Sequence, residues 1–200
     1  MKNKDALIHL FQENQGILRT SELLAAGVSE NALRKLYIEG EVIKLKRGFY
    51  KWNNLEVLDI GNQWVDVQKM LPKGVFCLYS AAEYHELSTF VPAAFHIALP
   101  KNSSASLFIY PPVQTYFWEE SIFSIGIEEY EVEGEKVRIY NAERTVCDML
   151  RFKHKVTWET AKECLKTYLN RKNRNIPLLL KYSESFRIKQ LLSTYLDVLL

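Results

Sequence analysis

At 200 residues the chain can hold one domain of ordinary size or two small ones, and with 48% of its residues hydrophobic and 12% aromatic it can bury real cores. A net charge of +2 does not by itself mark a nucleic-acid binder, but the charge is uneven: nine Lys/Arg against eight Asp/Glu over 1–60, six against twelve over 61–150, and eleven against four over 151–200. Cys77, Cys147 and Cys164 stand far apart with no CxxC pair, so neither a zinc site nor a disulfide framework is indicated, and no apolar run approaches the roughly 20 residues of a membrane span.

The opening MKNKDALIHLF has no apolar signal core, and a reducing cytoplasm is the expected compartment. Lys4 to Glu13 puts Leu7, Ile8, Leu10 and Phe11 on one face of a first helix. Asn14-Gln15-Gly16 ends it, and Ile17-Leu18-Arg19 is a predicted short strand. A second helix over Ser21–Ala26, capped by Thr20, stops at Gly27; Ser29 caps a third, about Glu30 to Glu39, which Gly40 stops. Two strands follow, Val42–Lys46 and Phe49–Trp52, joined at Arg47-Gly48. Two helices around a tight glycine turn, followed by a basic hairpin, make the pattern of a winged helix-turn-helix, a module that usually binds DNA.

Within this module Leu23, Leu24, Leu33, Leu36 and Tyr37 are expected to be buried, which leaves Glu30, Asn31, Arg34 and Lys35 outward. Asn31, Arg34 and Lys35 lie within one to two turns of the helix start, where a recognition helix reaches base edges; Arg suits guanine and Asn suits adenine. Any solvated helix shows such a polar face, so the hairpin matters. There Lys44 and Lys46 alternate with Ile43 and Leu45, and Arg47 sits at the tip, a wing suited to gripping phosphate. The N-termini near Ser21 and Glu30 offer further phosphate anchors. Glu30, Glu39 and Glu41 dilute the field, so moderate affinity and a dimer on DNA are expected.

Asn53-Asn54 reads as a hinge, and a looser helical pattern runs over Leu55–Met70; the domain boundary is expected near Asn53–Gly61, giving domains 1–56 and 57–200. Beyond the turn at Pro72-Lys73-Gly74, Ser80 and Glu83 match a capping box for a helix over Ala81–Leu87. Strands are predicted at Phe95–Leu99, Thr115–Trp118, Ile122–Ile127, Glu129–Glu133 and Val137–Tyr140, in a mixed or mainly antiparallel sheet. Asn141 caps a helix over Ala142–Phe152 that buries Val146, Met149 and Leu150. Three helices finish the chain: Thr157–Asn170, Ile176–Tyr182 and Phe186–Leu199. Lys162, Lys166, Arg171, Lys172 and Arg174 concentrate there as a basic patch for an acidic partner or nucleic acid, only partly explained by helix-dipole preference. The fold class is α+β: a winged helix-turn-helix, then a mixed α/β domain with C-terminal helices.

The segment GVSENALRKLYIEGEVIKLKRGFY resembles the N-terminal signature of AbiEi-type antitoxins of bacterial abortive-infection systems. YSAAEYHELST, HIALP and YNAERTVCDML resemble later family elements, in the family's order, so the likeness spans about Thr20 to Leu150. This resemblance implies an N-terminal domain that binds operator DNA and represses its own operon. It also implies a C-terminal domain that opposes a nucleotidyltransferase-type toxin of phage defence without needing a stable complex. By the resemblance the DNA contacts are Asn31, Arg34, Lys35, Lys44, Lys46 and Arg47. No catalytic residue, cofactor or metal is implied.

Two alternatives compete. A fused restriction-type nuclease needs paired carboxylates and a lysine around Mg2+. The acidic run Glu128, Glu129, Glu131, Glu133, Glu135, Lys136 is the candidate, but Gly134 breaks the E-x-K spacing, and a solvated hairpin is the better reading. His9, His85, His96 and His154 fit no metal or catalytic spacing, and Ser80 lies in Y-S-A-A rather than G-x-S-x-G. Glu143 and Asp148 are expected to pair with Arg144 in a structural network. The other alternative is a plain transcription regulator whose second domain assembles or senses a ligand.

Overall fold

The computed structural model describes residues 4–53, 62–105, 107–152 and 154–199. The chain forms two compact units, one of residues 1–72 with 104–112 and 132–135, the other of residues 73–103, 113–131 and 136–200. The hinge and boundary expected around 53–61 fall largely on residues 54–61, outside the described residues, as does the first part of the expected 55–70 helix.

The first unit is a winged helix-turn-helix. Helix α1 (Lys4–Glu13), strand β1 (Ile17–Arg19), helices α2 (Thr20–Ala25) and α3 (Glu30–Ile38), and strands β2 (Val42–Lys46) and β3 (Phe49–Trp52) follow in the expected order. The strands form an antiparallel sheet in the order β1-β3-β2. Ser29 caps α3, its hydroxyl accepting from the Ala32 N–H at 3.2 Å. Gly27 and Gly40 end α2 and α3 at φ of 85° and 73°, where a Cβ would be strained. Thr20 does not cap α2 as expected: it is the first helical residue, and the Arg19 N–H donates to the Glu22 carboxylate at 2.6 Å. Leu7, Phe11, Leu18, Leu23, Leu33, Leu36, Val42 and Trp52 fill the core. Leu24 and Tyr37 are not in it, being 41% and 50% exposed, because α2 and α3 each bury a narrower stripe than an i, i+3, i+4 face.

Helix α4 (Gln63–Met70) belongs to this unit, although residues from 57 onward were expected in the second domain. Asn62 caps it at 3.0 Å from the Trp64 N–H. Two lysines tie it to the wing. Lys51 of β3 and Asp66 form a buried ion pair at 2.6 Å, and the Lys46 amine donates to the Met70 carbonyl at 2.6 Å. Segment 104–112 returns to cover the free edge of β2: Ile109 N–H donates to the Leu45 carbonyl at 2.6 Å, and Phe108 bridges to Lys46.

The second unit is built on a five-stranded mixed sheet in the order β6-β5-β4-β8-β7. Its strands are β4 (Val75–Phe76), β5 (Phe95–Pro100), β6 (Val113–Trp118), β7 (Ile127–Val132) and β8 (Glu135–Tyr140); β4 pairs antiparallel to β5 and parallel to β8, and β5 parallel to β6. Helix α5 (Leu78–Tyr84) starts earlier than expected. Ser80 does not cap it: the hydroxyl is fully buried inside the helix and accepts from the His96 N–H at 2.9 Å. The strand expected over Ile122–Ile127 is instead a short helix, α6 (Glu120–Phe123), then a turn at Gly126.

Helix α7 (Ala142–Arg151) is central, packing against α5, α8 (Trp158–Leu169) and α9 (Ile176–Ser185); α10 (Lys189–Leu199) closes the chain against α9. Asn141 caps α7, accepting from Arg144 N–H at 3.0 Å. Val146, Met149 and Leu150 are buried as expected, but so are Glu143, Arg144 and Asp148. A helix buried on every side must satisfy its polar groups internally. Arg144 donates to Asp148 at 2.9 Å and to the carbonyls of Ile122 and Ile125 at 2.7 Å, beneath the rings of Tyr140 and Phe186. Glu143 does not join this pair; it accepts from the Tyr168 hydroxyl at 2.8 Å.

Candidate nucleic-acid interface

Leu33 and Leu36 anchor α3 in the core, which turns Asn31, Arg34 and Lys35 to solvent along the first two turns. Ser29 fixes where the helix starts, and so which residues stand at its exposed N-terminal end. Two acids that dilute the field are partly neutralised. Glu39 lies 3.6 Å from Lys35, and Glu41 is paired with Lys4 at 2.7 Å. Such exposed pairs are worth little and open readily toward phosphate. Glu30 stays exposed at the helix start.

The wing differs from its expected layout at one residue. Arg47 is exposed at the tip and Lys44 is half-buried on β2. Lys46, expected beside Lys44 on the outer face, is buried. A register irregularity between Lys44 and Lys46 breaks the strand's alternation and turns Lys46 inward. Its amine sits 4.7 Å from the Phe49 ring centroid and 5.2 Å from that of Phe108, and donates to Met70. Burial, with the Arg19 charge nearby, holds its ammonium below the ordinary lysine value. Lys46 is thus held inside the wing and not on its outer face with Lys44.

Arg19 was not singled out from the sequence. It points outward from β1, its guanidinium 5.4 Å from the Phe49 ring centroid, and adds a cation beside the wing. The burial pattern of β1, two residues in and one out, was the available signal.

The C-terminal basic residues divide by role. Lys166 and Lys172 are exposed, and Lys162 is exposed with its amine 5.8 Å from the Trp158 ring centroid. Arg171 donates to the His85 carbonyl and so ties the α8–α9 connection to the end of α5, and Arg174 donates to the Arg171 carbonyl at 3.0 Å within that connection.

Several of the groups weighed for catalysis have structural partners. The acidic run forms the β7–β8 hairpin, turned at Glu133-Gly134, with Lys136 paired to Glu129 at 3.0 Å and Tyr130 donating to Glu128 at 2.6 Å. Burial pushes the Cys147 and Cys164 thiols up to about 12, so neither supplies a thiolate near neutrality. Among the described residues no helix is long and apolar enough to cross a membrane.

Residues 5–50, from α1 into β3, match the family described as transcriptional regulator, AbiEi antitoxin. The fold as a whole is similar to the crystal structure of the Rv2827c protein from Mycobacterium tuberculosis, with a TM-score of 0.55 at 14% identity, covering 88% of this chain and 70% of that one. At that identity the likeness concerns the fold alone. No curated protein sequence matches the chain. The matched segment contains α3 and most of the wing, so the likeness to the AbiEi family of antitoxins and transcriptional regulators rests on the winged helix-turn-helix of the first unit.

Proposed function

We propose that this protein is the antitoxin of a toxin–antitoxin pair that opposes a nucleotidyltransferase-type toxin and represses its own operon. The observation that carries the reading is the coincidence of the family match with an exposed, cation-bearing α3 and wing tip in one winged module. Asn31 and Arg34 read base edges, while Lys35, Lys44 and Arg47 hold phosphate. DNA reading is assigned to residues 1–56 and the antitoxin role to 57–200, where exposed Lys162, Lys166 and Lys172 offer a surface to an acidic partner. The action is non-enzymatic and cytoplasmic, on operator DNA, with a dimer on the operator and no stable toxin complex required.

Fluorescence anisotropy with DNA from immediately upstream of the gene, against scrambled DNA over a salt series, tests the repressor half. Selective binding that weakens with salt is expected. Equal, weak binding to both DNAs would refute autorepression. Co-expression with the neighbouring toxin tests the other half: cells that die despite the protein would remove the antitoxin role.

A further inference from the structure

Where α7 ends, one carboxylate faces two guanidinium groups. Asp148 accepts from Arg144 Nε at 2.9 Å, and its other oxygen lies 2.9 Å from Arg151 Nη2. The second approach is a close ion pair but out of line for a hydrogen bond. Arg151 Nε and Arg144 Nη2 are buried with no hydrogen-bond acceptor among the described residues, and Arg151 Nη2 has only the out-of-line Asp148 oxygen. Two guanidiniums beside one carboxylate leave an excess positive charge in a low-dielectric setting, and buried charge is costly unless it is paired.

Arg144 is sealed in the core, but Arg151 lines a cleft of about 730 Å³. Arg187, at the α9–α10 junction, lines it too, exposed and without an ion-pair partner among the described residues. Trp158 and Tyr195 form an aromatic wall, ring centroids 5.0 Å apart, and Gln190 and Thr194 add polar groups. No acidic side chain lines the cleft among the described residues. Its volume falls within the ~300–1,000 Å³ of small-molecule sites, which combine apolar walls with a few convergent polar groups.

We propose that this cleft binds a nucleoside phosphate, the phosphate held by Arg187 and by the part of the Arg151 side chain that lines the cleft, and the base lying against Trp158 and Tyr195. Arginine forks suit phosphate oxygens, and a flat π face suits any base. An anion seated there supplies the negative charge that the Arg144–Asp148–Arg151 cluster lacks. The site is independent of the DNA-reading surface and of the antitoxin reading.

Calorimetric titration of the full chain with AMP and with CMP tests this, with adenosine and inorganic phosphate as half-ligands. Saturable binding of a mononucleotide is expected with a Kd of about 10 µM to 1 mM, and each half-ligand at least about tenfold weaker. Arg187→Gln, at an exposed position, should weaken mononucleotide binding about ten- to a hundredfold, and Arg151→Lys similarly, as loss of a charge-assisted hydrogen bond requires. An Asn31→Ala, Arg34→Ala double variant should bind unchanged. No saturable heat with either mononucleotide would overturn the proposal. So would affinity unaltered by Arg187→Gln, an equal loss in the double variant, or binding of an oligonucleotide but not of mononucleotides.

Discussion

Removing the Asp66 carboxylate should be among the most damaging single changes in the first unit. Asp66 and Lys51 meet at 2.6 Å with side-chain exposures of only 2% and 6%, so Asp66→Ala leaves an ammonium buried without its counter-charge. Breaking such a pair costs about 3–5 kcal/mol. The pair itself is a weak net stabiliser. Burial outweighs the lysine and raises the Asp66 carboxyl above its ordinary value, and Oδ1 has no hydrogen-bond partner among the described residues. Replacing both partners with apolar residues, Lys51→Met with Asp66→Leu, should therefore be neutral or stabilising by about 1–4 kcal/mol. Amide hydrogen exchange of the full chain, read over peptides covering β3, isolates this unit from the other. A loss of 3–5 kcal/mol appears there as exchange faster by roughly 150- to 5,000-fold. Exchange within about tenfold of the parent would mean the pair is hydrated. A double variant as damaged as the single one would refute the charge argument and leave packing as the cause.

Other expectations separate structural from functional cations and acids. Arg47→Ala should lower affinity for all DNA sequences and flatten the log–log salt slope by about one, whereas Lys46→Met should leave that slope unchanged; an equal loss of slope would return Lys46 to the interface. Burial holds His96 at about 4 against an ordinary 6.5, its Nδ1 2.9 Å from the Tyr116 hydroxyl. Its folded value is depressed, so the unfolded chain takes up protons first: stability is intact above pH 6.5 and lost as pH falls toward 4. The full effect is about 3 kcal/mol at most, reduced to about 1–2 by solvent around the partly exposed ring. Thermal melts at pH 7 and 5 should show the drop, and His96→Gln should shrink it; an undiminished drop would exonerate this ring. Gly126→Ala should destabilise by about 1–3 kcal/mol, because φ is +76° and its Cβ would meet Arg144 Cβ at 2.8 Å; unchanged urea unfolding would show that the turn relaxes.

The winged half is legible in the sequence because its signals are local. Ser29 announces the α3 start three residues ahead of the N–H it accepts from, Asn141 does the same for α7, and Gly27 and Gly40 mark helix ends. What escapes is set by distant partners. Alternation along Ile43–Lys46 makes Lys46 an outward cation, and only the irregularity opposite Phe49 and the arrival of Phe108 and Met70 turn it in. Ser80 carries the residue type of a cap, yet its hydroxyl is taken by a backbone N–H of β5, sixteen positions away. The Lys51–Asp66 pair crosses fifteen positions, so neither residue carries a short-range cue. The α3 face is readable from helical spacing alone, and so is the Arg144–Asp148–Arg151 grouping on α7; its burial against Trp118 and Phe186 is what only distant segments supply.

The return of residues 104–112 to the wing also sets an order on synthesis. When Trp52 leaves the ribosome the three strands of the winged sheet exist, but the segment that covers Leu45 and Lys46 at the β2 edge has not been made. At roughly 5–20 residues per second the interval up to Pro112 lasts several seconds, during which β2 presents an unpaired edge. The nascent winged sheet is thus most exposed to mispairing after its own three strands are made and before 104–112 follows. A premature stop between 73 and 104 would release it with α4 in place and the β2 edge open.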